Sequence, residues 1–263
     1  MLVNIVAVQT TIGQPLSLEE KIYILKQRPD FVCLPEYFLI NSDIPTYHRA
    51  ALHIHDHLNY LTRLSADVST CLIGGSVVEP AETSLYNTSY LINRGNILAG
   101  YRKRFPVEGE LKGGIVPGSD IVVYDIEGVR VGLMICGDVF YPEMYLEMAE
   151  RDVDVIFIPT TSKYRPDDTD ADRQARDRRY FISGAETAGA YVVKVNGVGE
   201  IFGFRLQGRS LVAAPWGIVE AVEPANEQKE RIFGTTLDIE EIRDFRLKRQ
   251  RRQLSKSARK TGS

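Results

Sequence analysis

Three short segments of the sequence place a reactive residue type directly after an apolar strand. The first contains Cys136, which follows the apolar run 131–135 and precedes Gly137 and a helix that begins at Pro142. Backbone N–H groups gather where a strand turns into a helix, and they stabilise a thiolate. The N–H of Gly137 could also donate to an oxyanion, the negative oxygen that forms when a nucleophile attacks a carbonyl. An inert, buried cysteine fits the local sequence around Cys136 equally well.

The other two segments supply a carboxylate and an ammonium. Glu36 comes directly after the apolar run 31–34 and Pro35, where partial burial would raise its pKa and make it a usable general base. Lys103 follows an apolar strand at 97–101 and could stabilise a developing negative charge. The alternative for Glu36 is a solvated acid in a loop, and the alternative for Lys103 is a solvated basic edge. Neither segment by itself distinguishes the catalytic role from its alternative.

The elements around these segments alternate between strands and helices. Apolar runs predict strands at 2–9, 31–34, 70–78, 84–93, 97–101, 121–126, 129–135, 154–159, 191–196, 210–214, 218–222 and 231–237. Amphipathic patterns predict helices at 16–28, 44–68, 142–151 and 173–188. Strand–helix–strand units mixed with hairpins indicate an α/β fold, with sheets covered by helices in one domain.

Composition argues against several classes of protein. The 263 residues carry a net charge of -3, so the body of the chain gives no reason to expect nucleic acid or a membrane as partner. No window reaches the roughly 18 apolar residues of a membrane span, and the N-terminus lacks the features of a signal peptide. Three cysteines, of which Cys33 and Cys71 lie in apolar strands, argue against a disulfide framework. We therefore expect a cytoplasmic protein.

Taken together, Glu36, Lys103 and Cys136, each after a strand and in this order, resemble the nitrilase superfamily of carbon–nitrogen hydrolases. The resemblance spans roughly residues 2–253. Further matching positions are Glu110, Pro117-Gly118, Ile158-Pro159-Thr160, Glu186-Thr187-Ala188, Gly208-Arg209-Ser210 and Pro215-Trp216-Gly217.

The resemblance implies a four-layer α-β-β-α sandwich and a Glu–Lys–Cys catalytic set. Cys136 would be the nucleophile and Glu36 the general base. Lys103 and the N–H of Gly137 would stabilise the oxyanion, and Glu110 would be a second, assisting glutamate. Attack by the thiolate would give a thioester and release ammonia or an amine, a route that needs neither metal nor cofactor.

Departures from the family pattern bear on the substrate. True nitrilases typically follow the cysteine with Trp-Glu, which is absent here, and many members have a histidine where this chain has Phe105. We therefore expect an amidase for a small aliphatic amide, with an N-carbamoyl amine or amino acid hydrolase as the alternative. A non-catalytic binding protein or a thiol sensor is the alternative from another class. Glu108 stays open as the second glutamate.

Loops around the predicted site should select the substrate. The candidates are Tyr37, Phe140, Tyr141 and Thr161, although ordinary packing under loops explains each of them as well. Arg165 or Arg173 could bind a substrate carboxylate, but the alternating charges around them fit a solvated helix face.

Two further signals concern metals and partners. His53 and His57 lie four residues apart, a spacing that can bind zinc, but no third ligand is evident and we expect no metal. The C-terminus is rich in Lys and Arg, and we predict one domain at 1–253 and a basic, disordered tail at 254–263. Nucleic-acid binding is the less favoured interpretation of that tail. From the family we expect a homodimer or a larger homo-oligomer that acts on a small amide or carbamoyl compound.

Overall fold

The structure, a computed structural model, describes the backbone of residues 1–261 and the side chains of residues 1–252 and 255. Its strands are β1 (Leu2–Gln9), β2 (Phe31–Cys33), β3 (Cys71–Ile73), β4 (Val77–Ala81), β5 (Ser84–Asn93), β6 (Asn96–Arg102), β7 (Val123–Ile126), β8 (Val129–Leu133), β9 (Val155–Thr160), β10 (Tyr191–Asn196), β11 (Glu200–Ile201), β12 (Phe204–Arg205), β13 (Leu211–Ala214), β14 (Gly217–Ala221) and β15 (Arg231–Asp238). Its α-helices are α1 (Leu18–Lys26), α2 (Tyr47–Ala51), α3 (Ile54–Asp67), α4 (Glu108–Lys112), α5 (Pro142–Glu150), α6 (Asp170–Asp177), α7 (Ser183–Ala188) and α8 (Ile239–Thr261).

Two sheets contain all of these strands except the β11–β12 hairpin. The first sheet has the order β15-β1-β2-β3-β5-β4, and β6 also pairs with β5. The second has the order β14-β13-β10-β9-β8-β7. Strands β1, β2 and β3 are parallel, as are β8, β9 and β10, and helices connect them. Each sheet therefore has a group of parallel strands whose carboxyl ends lie at one edge.

The first sheet is buried on both faces. Ile5 and Ala7 of β1 belong to the core between the two sheets, whereas Val6 and Val8 belong to a second core beneath α1 and α3. Alternate residues of a strand point to opposite faces, so a strand with a layer on each side must be apolar throughout. This is why residues 2–9 show an apolar run instead of an alternating pattern.

The second sheet is covered on its outer face by α5 and α7. A Cβ at Gly132 of β8 would lie 2.5 Å from the sulfur of Met148 of α5, so this face of the sheet meets the helix. On the opposite face Phe157 of β9 contacts Phe31 of the first sheet, with 5.5 Å between ring centroids. The layers are therefore helix, sheet, sheet and helix, and the predicted four-layer α-β-β-α sandwich is confirmed.

Several predicted elements are divided in the structure. The run 70–78 forms β3 and β4, which are separated by residues 74–76. Gly75 has a φ of +64°, and a Cβ there would overlap the carbonyl oxygen of Pro35, so only glycine fits this close approach. The predicted helix 44–68 is α2 followed by α3, and a π-helical turn at Arg178–Ile182 joins α6 to α7.

Helix α8 lies against the body of the domain through its arginines. Arg243 and Arg246 form ion pairs with the buried Asp154, at 2.8 and 2.6 Å, and Arg249 donates to the carbonyl oxygen of Glu186. The helix continues past residue 253, the predicted end of the domain. The boundary there and the disordered tail stay predictions, and residues 262 and 263 lie outside the described residues.

No helix among the described residues is long and apolar enough to cross a lipid bilayer.

Candidate active site

Cys136 lies where β8 ends and the chain turns towards α5. It opens a 3₁₀ turn, Cys136–Phe140, and its φ is +42°, in the left-handed region that disfavours residues with a side chain. The thiol faces a cavity, and its sulfur lies 3.3 Å from the carbonyl oxygen of Thr161. Backbone strain of this kind persists only where the surrounding structure holds it, and it is concentrated at functional sites.

Asp138 holds this turn in place. Its carboxylate accepts hydrogen bonds from the N–H of Ile135 at 2.8 Å, the hydroxyl of Tyr101 at 2.7 Å and the N–H of Phe105 at 3.0 Å. Burial raises the pKa of Asp138, although Lys103 and the three donors oppose that rise. Asp138 thus joins the cysteine turn of the second sheet to the lysine segment of the first. Sequence reasoning assigned it no role, although it stands two residues after Cys136.

Lys103 lies between two glutamates. Its ammonium is 2.9 Å from Oε1 of Glu36 and 2.7 Å from Oε2 of Glu110, and all three side chains are at most 3% exposed. Burial by itself lowers the pKa of Lys103, but Glu36, Cys136 and Glu110 outweigh it and the pKa is raised. The two carboxylates therefore favour the charged form of the lysine at the floor of the cavity.

Thr161 connects Glu36 to Cys136. Its backbone N–H and its hydroxyl donate to Oε2 of Glu36, at 2.9 and 2.5 Å, while its carbonyl oxygen accepts the contact from the Cys136 thiol. The first sheet supplies Glu36, after β2, and the second supplies Cys136 and Thr161, after β8 and β9. The site is therefore assembled where the two sheets meet.

Asn87 and Tyr37 hold the side chains of the two glutamates in place. The side-chain amide of Asn87 donates to Glu36 at 2.9 Å and to Glu110 at 2.7 Å, and the hydroxyl of Tyr37 donates to Glu110 at 2.6 Å. Sequence reasoning missed Asn87. It stands beside Thr88 and Ser89, which are polar and buried as well, so nothing in the local sequence of β5 distinguished it.

The two candidates for the second glutamate lie in different environments on α4. Glu110 is buried in the cluster, whereas Glu108 is exposed and pairs with Lys112. Burial raises the pKa of Glu110, but the ammonium of Lys103 outweighs it and the pKa is lowered. The structure brings Glu110 to Lys103 and leaves Glu108 at the surface.

The surroundings of Cys136 favour the protonated thiol. Burial raises the pKa of Cys136 well above its ordinary value, Glu36 raises it further, and Lys103 opposes both. A thiol of this kind becomes a nucleophile only when a base nearby takes its proton. Glu36 is a carboxylate that shares Thr161 as a hydrogen-bond partner with the sulfur.

Gly137 leaves no room for a side chain beside the sulfur. A Cβ at this position would lie 2.8 Å from Cγ1 of Val107, 3.3 Å from the carbonyl oxygen of Phe105 and 3.8 Å from Cε of Lys103. Gly137 therefore lies against the end of the Lys103 side chain.

The cavity above these residues has a volume of about 1090 Å³. Among the predicted substrate-binding residues, Tyr37, Phe140 and Thr161 line it. Tyr141 lies outside the lining because its ring stacks on Phe105, with 3.6 Å between ring centroids. A volume of this size accepts a small organic molecule.

His53 and His57 do not line the cavity, whereas His48 does. His53 and His57 stack with ring centroids 6.0 Å apart, and burial together with His53 lowers the pKa of His57 to about 4. Within the described residues, no three side chains of the His, Cys, Asp or Glu type are grouped as metal ligands.

The sequence profile of the carbon–nitrogen hydrolases matches residues 12–247. The chain belongs to the carbon–nitrogen hydrolase family. The predicted nitrilase superfamily and the predicted enzyme class are thereby confirmed.

Individual members of the family show how far the similarity extends. A nitrilase of Pyrococcus abyssi is 26% identical over 230 residues, which cover 84% of this chain and 82% of that protein. An N-carbamoylputrescine amidase of Solanum tuberosum is 27% identical over 224 residues, 80% of this chain and 74% of that protein. Two other relatives match over only 29% of their own length.

A solved structure has the same fold. It is a mutant of an amidase from Nesterenkonia sp. AN1 that carries the acetamide moiety of fluoroacetamide at its active-site cysteine. The two chains align with a TM-score of 0.74 at 20% identity, over 95% of this chain and 96% of that one.

Proposed function

We propose that this chain is a cysteine-dependent amidase that hydrolyses a small aliphatic amide through a thioester and releases ammonia. The observation that carries the proposal is the grouping of Cys136, Glu36, Lys103 and Glu110 at the floor of one cavity. Cys136 and Glu36 share Thr161 as a hydrogen-bond partner, and Lys103 lies between the two glutamates.

In the first step the sulfur of Cys136 attacks the amide carbon as Glu36 takes the thiol proton. A sulfur–carbon bond forms, the carbonyl π bond opens, and its electrons become the charge of a tetrahedral oxyanion. The Lys103 ammonium and the Gly137 N–H stabilise that charge. Glu110 holds Lys103 in position through their ion pair.

In the second step the carbon–nitrogen bond breaks, and the nitrogen takes the proton from Glu36 and leaves as ammonia. The acyl group remains on Cys136 as a thioester. Water then attacks the thioester carbon and gives a proton to Glu36. The second tetrahedral intermediate expels the sulfur, which recovers that proton, and a carboxylic acid is released.

Hydrolysis of an N-carbamoyl amine or amino acid is the second candidate function, supported by the relative from Solanum tuberosum. The same residues would attack the carbamoyl carbon, expel the amine and hydrolyse the carbamoyl thioester to carbon dioxide and ammonia. A non-catalytic binding protein or a thiol sensor is the candidate from another class. The presence of both glutamates and the lysine around the thiol argues against it, since neither role needs all four groups.

Ammonia release from primary amides, N-carbamoyl compounds and nitriles tests the proposal. We expect release from primary amides by the wild type and its loss in Cys136→Ala. The matched control is Cys71→Ala, because Cys71 is a buried cysteine that does not line the cavity, and this variant should keep its turnover. Release that survives in Cys136→Ala would contradict the mechanism, and release from N-carbamoyl compounds alone would favour the second candidate.

We also propose that the protein works as a homodimer or a larger homo-oligomer in the cytoplasm. Cys33, Cys71 and Cys136 are free thiols, which supports a reducing compartment. The family resemblance supports the dimer. Light scattering on the eluting protein measures its mass, and a monomer at micromolar concentration would contradict the dimer.

A further inference from the structure

Lys194 is a buried cation in the wall of the cavity. It lies on β10, between Val193 and Val195, and is only 6% exposed. Its ammonium lies 4.8 Å from the ring centroid of Phe181. Within the described part of the chain, no carboxylate or other acceptor forms a hydrogen bond or an ion pair with this ammonium.

Two partly buried arginines that line the same cavity differ in this respect. Arg209 forms ion pairs with Asp177 at 2.7 Å and with Glu227 at 2.8 Å, and Arg173 lies 3.2 Å from Glu227. These positive charges are therefore neutralised by the protein itself. The positive charge of Lys194 has no such partner among the described residues, and its side chain lines the cavity.

Lys194 lies within reach of a molecule bound at Cys136. Strand β10 is separated from β8 by β9 alone, so the two strands are roughly 10 Å apart. Lys194 is in register with Ile158 on β9, two residues before Thr160. Both Lys194 and Cys136 line the same cavity. A small molecule whose amide carbon contacts the sulfur can therefore place its other end at the ammonium.

An unpaired buried ammonium is unfavourable for the folded protein. Burial lowers the pKa of Lys194 to about 8, although Asp177 favours the charged form. Buried charges are normally paired, and unpaired, perturbed groups in a cavity are typical of binding sites. An anionic ligand would supply the missing partner.

We propose that Lys194 binds a carboxylate of the substrate, so that the preferred substrate is the monoamide of a small dicarboxylic acid. The inference rests on the amidase function proposed above and adds a specificity-determining residue to it. A single unpaired ammonium matches a carboxylate in charge, whereas a phosphate would bring about two negative charges. Phe181 provides an apolar surface for the methylene groups that separate carboxylate from amide.

Matched pairs of substrates test this assignment. Succinamic and glutaramic acids carry the carboxylate, and butyramide and valeramide are neutral amides of similar size. We expect kcat/KM of the wild type to favour the acid of each pair. In Lys194→Met, which keeps the apolar length of the side chain, that preference should fall about 10-fold or more, mainly through KM.

Lys163→Met is the matched control, because Lys163 is an exposed lysine at the cavity mouth, with its ammonium 3.5 Å from the ring centroid of Phe204. Lys163→Met should keep the preference for the acid. If the preference came only from the general positive charge of the cavity, loss of either lysine would reduce it to a similar extent. Lys194→Gln serves as a second variant should the methionine variant fail to fold. A preference for the acid that survives the loss of Lys194 would overturn the proposal.

Binding of glutarate, measured by calorimetry, separates this proposal from the proposed function. We expect the Kd for glutarate to rise about 10-fold or more in Lys194→Met, irrespective of turnover. If the wild type hydrolyses no amide but binds glutarate through Lys194, the amidase function fails and the carboxylate site stands. If the wild type hydrolyses neutral amides and Lys194→Met binds glutarate as tightly, the carboxylate site fails and the amidase function stands.

Discussion

The ammonium of Lys103 lies 2.7 Å from Oε2 of Glu110, and neither side chain is more than 3% exposed. Such a pair is stable only while both partners are present, because removal of one leaves an uncompensated charge away from water. The same ammonium contacts Glu36 at 2.9 Å. One lysine therefore compensates two buried carboxylates, and both the stability and the chemistry of the site depend on it.

Lys103→Met should impair both turnover and stability. We expect turnover to fall by about 10²–10³-fold because the oxyanion loses a fixed positive charge. The free energy of unfolding should fall by about 3–5 kcal/mol, since Glu36 and Glu110 are left unpaired. Urea denaturation and ammonia release measure the two effects. Lys112→Met is the control because Lys112 is exposed and pairs with the exposed Glu108; an equal effect of the two substitutions would contradict the prediction.

Glu110→Gln and Glu108→Gln should differ in the same assays. Tyr37, Asn87 and Lys103 all direct donors at Glu110, so we expect its amide variant to lose about 10- to 100-fold in turnover. Glu108→Gln should stay close to wild type.

The pH dependence of stability provides an independent check on Glu110. Its pKa is lower in the folded than in the unfolded chain, so the ionised form favours folding. The stability advantage of wild type over Glu110→Gln should be full at pH 7. It should be lost as the pH falls through the lowered pKa of Glu110, and an advantage that grew on acidification would have the wrong sign.

Gly137→Ala should reduce kcat and stability because the added methyl group meets Val107 and the carbonyl oxygen of Phe105. Overpacking of this kind typically costs about 1–3 kcal/mol. Val107→Ala removes the closest contact, so the double variant should recover part of both losses. Thermal unfolding and steady-state kinetics of the four proteins form a double-mutant cycle, and strictly additive effects would show that the contact is unimportant.

Lys194→Met should stabilise the protein near neutral pH while it weakens carboxylate binding. The pKa of Lys194 is lowered to about 8 from an ordinary value of 10.5, so below pH 8 the folded protein holds an unfavourable charge. Between these two values the unfolded chain binds more protons, and wild-type stability rises with pH. The advantage of the methionine variant should therefore be largest at pH 6–7 and shrink towards pH 10, as calorimetry can measure, with Lys163→Met unchanged throughout.

The strands were easier to predict from the sequence than the helices. Strands buried on both faces, such as β1 and β10, show apolar runs broken only by a few polar residues, and their predicted bounds match the structure. The predicted helix 44–68 is two helices in the structure, and residues 52 and 53 separate α2 from α3. The short helix α4 was missed. It has five residues, too few to show a helical period.

The side chains at the candidate site fall into two groups. Glu36, Lys103 and Cys136 each follow a strand, so local sequence could single them out. Asn87 and Lys194 lie within buried strands, and their neighbours across the sheets come from distant parts of the chain. Asn87 stands among other polar residues of β5, and Lys194 interrupts an apolar run in β10. Neither setting carries a local sign of the partners, and only the tertiary structure shows what Asn87 contacts and what Lys194 lacks.

The hydrogen bonds of Asp138 have a consequence for how the protein loses activity. They join the cysteine turn of one sheet to Tyr101 and Phe105 in the other, so the distance between nucleophile and lysine depends on how the two sheets are docked. Catalytic activity should therefore respond to small changes in how the two sheets pack against each other. A partly denatured state that kept its helices and strands but allowed the sheets to slide would be inactive well before its circular dichroism changed.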